Sequence, residues 1–189
     1  MSETKTTIIS PLAVGRYLDA QGVRQPLPYS LAEVARAQAA YRRIFSSFHF
    51  RTGQNLLVTA LFDQSAQLLG AERAIMEYSL VVVSADCSLY DAGRVESIVR
   101  RFPLAGILGL SADTLEGLRG LGHDPLQLFR DKVIWARPGA YEQLAGQPGL
   151  PAYRRIELAP AFALECQARD GAHPDPLHRA AAEHNPDPP

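Results

Sequence analysis

Residues 80–110 read LVVVSADCSLYDAGRVESIVRRFPLAGILGL, and this stretch decides the fold. Residues 80–85 and 105–110 are short runs that are apolar on both faces, which is typical of buried parallel strands. Residues 91–101 between them carry apolar side chains at helical spacing and predict a helix. A helix that joins two such strands is the crossover connection of a parallel sheet.

The same alternation of strand and helix extends over most of the chain. Ser30 and Glu33 form a capping box that starts a helix over residues 30–47. Further strands are predicted over residues 55–62, 132–136, 155–158 and 163–166, and further helices over residues 64–78, 112–121 and 141–144. The sequence therefore predicts an α/β fold with a doubly wound, mostly parallel sheet of about five strands.

The two ends of the chain differ from this central part. Residues 1–29 have weak periodicity and turn-prone prolines, and they predict an irregular arm with one short helix around residues 12–20. Residues 174–189 are rich in Pro, Asp, His and Ala without apolar periodicity, and they predict a mobile tail. The α/β domain is accordingly expected to span residues 30–173.

Composition excludes several classes of function. The chain has 189 residues, of which 47% are hydrophobic, and this suits one globular domain. A net charge of -1 and the lack of any basic run argue against binding of nucleic acid. No apolar run is long enough to span a bilayer, the first residues are polar, and only two cysteines are present. We therefore expect a cytoplasmic protein that contacts no membrane.

A motif near the end of the alternation carries the most specific information. Residues 163–173 read ALECQARDGAH, which is the pattern E-C-x4-G-x-H at Glu165, Cys166, Gly171 and His173.

Three shorter pieces precede this motif in a recognisable order. Residues 28–30 read PYS directly before the long helix, residues 51–54 read RTGQ at a turn, and residues 109–112 read GLSA at a strand end. Together with the E-C-x4-G-x-H motif, this order resembles the phenylacetate-CoA ligase-like branch of the adenylate-forming enzymes. The resemblance covers about residues 26–173 and implies the fold of one subdomain of such a ligase.

The chain departs from that family where ATP chemistry is performed. The family's phosphate loop is rich in Gly, Ser and Thr. In the corresponding residues 9–26, the part from Ser10-Pro11 to Gly15 offers one hydroxyl and one glycine, and Pro11 removes a donor. The only acid near the family's magnesium-binding Glu is Glu157, one residue out of register. The sequence also ends before the family's mobile lid. We therefore expect no adenylation, no catalytic residue and no cofactor.

Polar side chains follow the predicted strands at the edge where parallel sheets bind ligands. Asp63 follows the first strand, Ser84, Asp86 and Cys87 follow the second, and Ser111 follows the third. One interpretation is that these five residues line an inherited ligand pocket. The alternative is that they cap helices and pack, which would fully account for Ser111.

The E-C-x4-G-x-H motif allows a metal site. Cys166 and His173 offer a thiolate and an imidazole, which are ligands that zinc accepts. In the alternative, which we favour, the motif is only an inherited packing and turn geometry.

The resemblance and its gaps together suggest a non-catalytic, ligase-derived binding or partner protein, with a pocket for an aromatic carboxylate or acyl-CoA-type ligand. The alternatives are half of a split ligase completed by a second chain, and an enzyme of new chemistry. We also expect a homo-oligomer or a complex with a larger partner, because a set of apolar residues near the first strand would form exposed surface. These residues are Phe45, Phe48, Phe50, Leu57 and Phe62.

Overall fold

The computed structural model of the protein describes residues 11–19, 21–158, 161–168 and 172–173. The strands are β1 (Ala13–Leu18), β2 (Arg24–Tyr29), β3 (Asn55–Thr59), β4 (Val81–Ala85), β5 (Leu104–Leu110), β6 (Val133–Ala136), β7 (Ala152–Leu158), β8 (Ala161–Glu165) and β9 (Ala172–His173). The α-helices are α1 (Leu31–Phe45), α2 (Ser65–Glu77), α3 (Ala92–Arg101), α4 (Ala112–Gly120), α5 (Pro125–Leu128) and α6 (Pro138–Leu144).

Seven strands form one sheet in the order β4-β3-β5-β6-β7-β8-β9. The first five of these are parallel, and β8 and β9 continue the sheet in antiparallel orientation. The chain passes from β3 to β4 on one side and returns to β5 on the other side of β3. The predicted α/β class with a mostly parallel sheet is therefore confirmed, and the topological switch lies between β3 and β5.

Helices cover both faces of the sheet, as a doubly wound fold requires. Helices α1 and α2 pack on one face around an aromatic cluster, in which the Trp135 ring lies 5.4 Å from Phe45 and 4.9 Å from Phe48. Helices α3, α4 and α6 pack on the other face. The prediction that Phe45, Phe48 and Leu57 form exposed surface is wrong, because all three are buried in these two cores.

The helix expected around residues 12–20 is also wrong, and the segment expected to be irregular contains an antiparallel hairpin of β1 and β2. Its turn is closed by the Asp19 N–H, which donates to the Val23 carbonyl, and Gly22 adopts a φ of +76°. Pro26 and Pro28 lie in β2, where a two-stranded ribbon tolerates prolines because one side of the strand needs no donor. The tendency of these prolines to form turns therefore led to the wrong prediction of an irregular arm.

Most of the predicted helices agree with the structure to within a few residues. Helix α1 begins with the predicted capping box: the Ser30 hydroxyl accepts from the Glu33 N–H at 3.2 Å, and the Glu33 carboxylate accepts from the Ser30 N–H at 2.6 Å. These hydrogen bonds lower the pKa of Glu33. Helix α5 lies between the predicted helix over residues 112–121 and the predicted strand over residues 132–136, where no helix was predicted. Residues 174–189 lie outside the described residues, and no helix in the described ranges is long and apolar enough to cross a membrane.

Candidate functional site

The candidate site lies at the carboxyl edge of the parallel strands, where open α/β sheets bind ligands. The predicted residues reach this edge through the turns that follow β3, β4 and β5. The structure separates them into three environments: a hairpin contact, a buried hydrogen-bonded cluster, and an open groove beside β4.

Asp63 belongs to the hairpin contact. It follows β3 in a short 3₁₀ turn, and its carboxylate accepts a hydrogen bond from the Arg24 guanidinium in β2 at 2.7 Å. This ion pair joins the hairpin to the carboxyl edge of the sheet. An exposed pair of this kind contributes little stability, so its main consequence is the position of the hairpin.

The hairpin turn is occupied by a carboxylate of the chain itself. Asp19 Oδ1 accepts from the Gln21 N–H at 3.0 Å and from the Val23 N–H at 2.8 Å, and Oδ2 accepts from Gln25 Nε2 at 2.9 Å. These hydrogen bonds lower the pKa of Asp19. In a phosphate loop, turn N–H groups of this kind bind the anion. Here the Gln21 and Val23 N–H groups bind the carboxylate of Asp19 instead.

The switch point between β3 and β5 is closed by the Arg137 side chain, which no motif in the sequence indicated. Arg137 follows β6, and its Nε donates to the Gly109 carbonyl at 3.1 Å while Nη2 donates to Gln64 Oε1 at 2.7 Å. Gly109 has a φ of +99°, and a Cβ at this position would overlap with the Thr59 carbonyl oxygen. Strands β3 and β5 therefore approach each other closely here, and the Arg137 guanidinium bonds to β5 at Gly109 and to Gln64, which follows β3.

Ser111 and Cys87 belong to the buried cluster. The Ser111 hydroxyl caps α4 by accepting from the Thr114 N–H at 3.0 Å, and it donates to the Cys87 carbonyl at 2.5 Å. The Thr114 hydroxyl donates to the same carbonyl at 3.1 Å. Burial raises the pKa of the Cys87 thiol, which disfavours the thiolate that a nucleophile requires. This arrangement suits a fixed loop rather than a reactive centre.

Ser84 and Asp86 line the third environment, an open groove of about 470 Å³ beside the carboxyl end of β4. We call it the β4 groove, and it is lined by Ala60, Phe62, Ser84, Ala85, Asp86, Ser88, Tyr90, Asp91 and Arg94.

Two aromatic side chains and one cation distinguish the β4 groove. Phe62 is 92% exposed and Tyr90 is 94% exposed, although large aromatic side chains usually bury most of their surface. Arg94 in α3 is exposed, and within the described part of the chain its guanidinium forms no hydrogen bond or ion pair. Both carboxylates of the groove accept backbone N–H bonds of 2.7 Å: Asp86 from Ser88, and Asp91 from Asp86. Tyr90 and Arg94 were missed because no sequence pattern marks a single exposed ring or cation. Phe62 was expected to be exposed, but not to line this groove.

The E-C-x4-G-x-H motif is only partly described. Glu165 ends β8, where its carbonyl accepts from Trp135 Nε1 at 3.0 Å and its carboxylate accepts from the Arg154 N–H at 3.0 Å. His173 pairs with Leu164 in the antiparallel β8–β9 ladder, so the chain does turn back along β8. Gly171 and the side chain of His173 lie outside the described residues, so the Cys166–His173 zinc site stays a prediction. The described residues contain no group of three His, Cys, Asp or Glu side chains that could hold a metal ion.

Comparison with solved structures identifies the fold. The chain is similar to 2-hydroxyisobutyryl-CoA ligase in an open conformation with 2-HIB-AMP and CoA, at a TM-score of 0.64 and 16% identity over 86% of this chain and 41% of that chain. The same ligase in the postadenylation state with 2-HIB-AMP gives a TM-score of 0.65 and 15% identity over 86% of this chain and 37% of that chain. The chain thus spans about 40% of the length of this ligase. No protein-family model matches the chain, and no curated protein does.

Proposed function

We propose that this chain is a non-catalytic binding protein derived from the phenylacetate-CoA ligase-like branch, and that its β4 groove holds a small aromatic carboxylate. The observation that carries the proposal is the pair of exposed rings, Phe62 and Tyr90, on this groove. The groove also contains the guanidinium of Arg94, which forms no hydrogen bond or ion pair with the described residues. The likeness to a CoA ligase supports the ancestry through the fold alone.

The groove suits such a ligand in size and chemistry. Its volume of about 470 Å³ lies in the range of small-molecule sites. An aromatic ring can pack between Phe62 and Tyr90, while Arg94 offers a planar pair of donors to a carboxylate.

An acyl-CoA ligand is a poorer match to the same groove. Asp86 and Asp91 place two carboxylates beside the single guanidinium of Arg94. Because the phosphates of CoA carry several negative charges, they would meet a groove that has more acids than bases. The small carboxylate is therefore the ligand that we propose.

The loss of adenylation is supported by the hairpin turn. Asp19 accepts hydrogen bonds from the Gln21 and Val23 N–H groups, so an incoming phosphate would have to displace a carboxylate that already satisfies them. The anionic Asp19 also repels phosphate at close range.

The expected affinity is modest because the groove is open. Phenylacetate has roughly ten non-hydrogen atoms, and at about 0.3–0.5 kcal/mol for each atom the dissociation constant is on the order of 1 mM. Two-dimensional NMR titration with phenylacetate to about 10 mM covers this range.

The titration is expected to shift amide signals of residues 84–94 in one saturable curve. Arg94→Ala should weaken binding by about fivefold, which corresponds to about 1 kcal/mol for the loss of one solvent-exposed ion pair. Arg101→Ala is the matched control, because Arg101 lies on the same face of α3 about 10 Å further along the helix axis. Shifts spread evenly over the protein, or equal effects of both variants, would refute the proposed site.

The second candidate is one part of a split ligase that a second chain completes. It is favoured by the extent of the match, since 86% of this chain corresponds to 41% of the ligase. If this candidate is correct, pyrophosphate release from ATP should depend on both chains and on a carboxylate. Release that is equal with and without this chain would exclude it.

A further inference from the structure

Among the residues that the structure describes, β4 forms an open edge of the sheet. It stands first in the strand order, and its sequence VVVSA contains neither a charged residue nor a proline. Edge strands are usually protected by charges, prolines or bulges, because their unpaired backbone groups can bind another strand. Val81 at its start is 48% exposed. This edge therefore lacks the usual protection.

The hydrogen-bond pattern shows which backbone groups face outward. The Val81 N–H donates to the Gln54 carbonyl, and the Ala85 carbonyl accepts from the Ala60 N–H. Because backbone groups alternate sides along a strand, the N–H and C=O groups of Val82 and Ser84 point away from β3. Each protomer can therefore form four hydrogen bonds with a strand added at this edge.

Exposed apolar side chains lie at both ends of β4. Phe62 and Tyr90 are beside its carboxyl end, and Val81 is at its amino end together with Met76, which is 56% exposed. Met76 is near the end of α2 and is rotated about 120° away from Gly70, the residue that packs on α1. An antiparallel partner strand would place its amino end beside the carboxyl end of this one.

We propose that β4 pairs with β4 of a second copy of this chain, antiparallel and with the twofold axis at Val83. In this register Val82 faces Ser84 of the second copy, and the two pairs of this kind use all four outward groups of each strand. A register centred on Val82 or on Ser84 would leave some of these groups unpaired. Both outward pairs are uncharged, so the edge is complementary to itself, as a twofold interface requires.

The apolar area is sufficient for a specific dimer. Aromatic side chains bury about 150–250 Å² each, so Phe62 and Tyr90 of two protomers supply roughly 600–1,000 Å². Met76, Val81 and the paired strands bring the total to about the 1,200 Å² at which specific interfaces begin. The dimer would also place the amino end of the partner's strand over the open side of the β4 groove. Phe62 and Tyr90 cannot be fully buried in the dimer and also pack against a ligand, so dimer formation and ligand binding compete for the same rings. The interface itself does not rest on ligand binding.

The first test is sedimentation of the unliganded protein at concentrations up to about 50 µM, because the dimer population depends on concentration. We expect a species of about twice the 20.6 kDa of one chain. Ser84→Lys should weaken the dimer at least about tenfold, since it places a charge on the paired edge. Gln147→Lys adds the same charge after α6, near the opposite side of the sheet, and should leave the dimer unchanged.

The second test examines the register. Val83 on the axis faces its own copy at a Cα separation of about 4.5 Å, which allows a disulfide. Val83→Cys should therefore give a covalent dimer on mild oxidation. Val81→Cys, on the same strand and face, would be opposite Ala85 of the second copy and should not. A protein that stays monomeric at all concentrations would overturn the proposal. This includes the case in which another segment of the same chain covers the edge and protects the Val82 and Ser84 amides from hydrogen exchange. Equal cross-linking of the two variants would do the same.

Discussion

Replacing Ser111 by Ala distinguishes a structural serine from a ligand-binding one. The substitution removes the cap of α4, which is the bond of 3.0 Å from the Thr114 N–H, and the bond of 2.5 Å to the buried Cys87 carbonyl. Loss of a helix cap costs about 0.5–2 kcal/mol. The Cys87 carbonyl keeps its hydrogen bond from the Thr114 hydroxyl, so losing the bond from Ser111 costs only about 0.5–1 kcal/mol. Ser111→Ala should therefore lower the free energy of unfolding by about 1–3 kcal/mol in total.

Urea denaturation measures this cost, and Ser84→Ala is its matched control. Ser84 lies near the carboxyl end of the parallel strand β4, but it is exposed and lies on the groove, so its substitution should change the free energy of unfolding by less than about 0.5 kcal/mol. In a domain of this size, Ser111→Ala should lower the melting temperature by about 2–12 °C. Phenylacetate affinity should be unchanged. Equal stability of the two variants, or loss of ligand binding without loss of stability in Ser111→Ala, would refute the reasoning.

Two further predictions concern the stability of the fold. Gly109→Ala should destabilise the protein by about 2–5 kcal/mol, because a φ of +99° disfavours a side chain and the new Cβ overlaps with the Thr59 carbonyl. Gly120→Ala, in α4 with open space around it, should be neutral or stabilising by up to about 1 kcal/mol, and denaturation curves that rank the two alike would contradict this. Burial raises the pKa of Glu72 in α2, so this carboxyl group keeps its proton to a higher pH in the folded state than in the unfolded state. The free energy of unfolding should therefore fall as the pH rises from the ordinary glutamate pKa through the raised pKa. Glu72→Gln should therefore be more stable than the native chain at neutral pH and lose this advantage in acid. An advantage that does not vary with pH would exclude the titration as its cause.

The sequence predicted those features that depend on local chemistry. Strands that are apolar on both faces indicated a parallel sheet, and Ser30 with Glu33 marked the start of α1. Because strand ends in a parallel sheet share one edge, the sequence alone predicts Ser84 and Asp86 at that edge.

Features that depend on tertiary contacts were not predictable. Arg137 reaches Gln64 only because β6 lies next to β5 and β5 next to β3, an order that no local pattern specifies. The apolar and polar residues of β1 form a pattern too short to distinguish a strand from a helix, and the strand is defined by its pairing with β2. Exposure of Phe62 was predicted, whereas burial of Phe45 and Phe48 followed from their contacts with Trp135.

The central proposal is that a fold similar to part of a CoA ligase serves here for binding without adenylation. The most direct test is pyrophosphate release by the isolated protein with magnesium, ATP and phenylacetate, at a phenylacetate concentration that NMR shows to occupy the β4 groove. The account predicts no release above that of a protein-free sample. Release that requires both the protein and the carboxylate, and that decreases in Arg94→Ala, would contradict it.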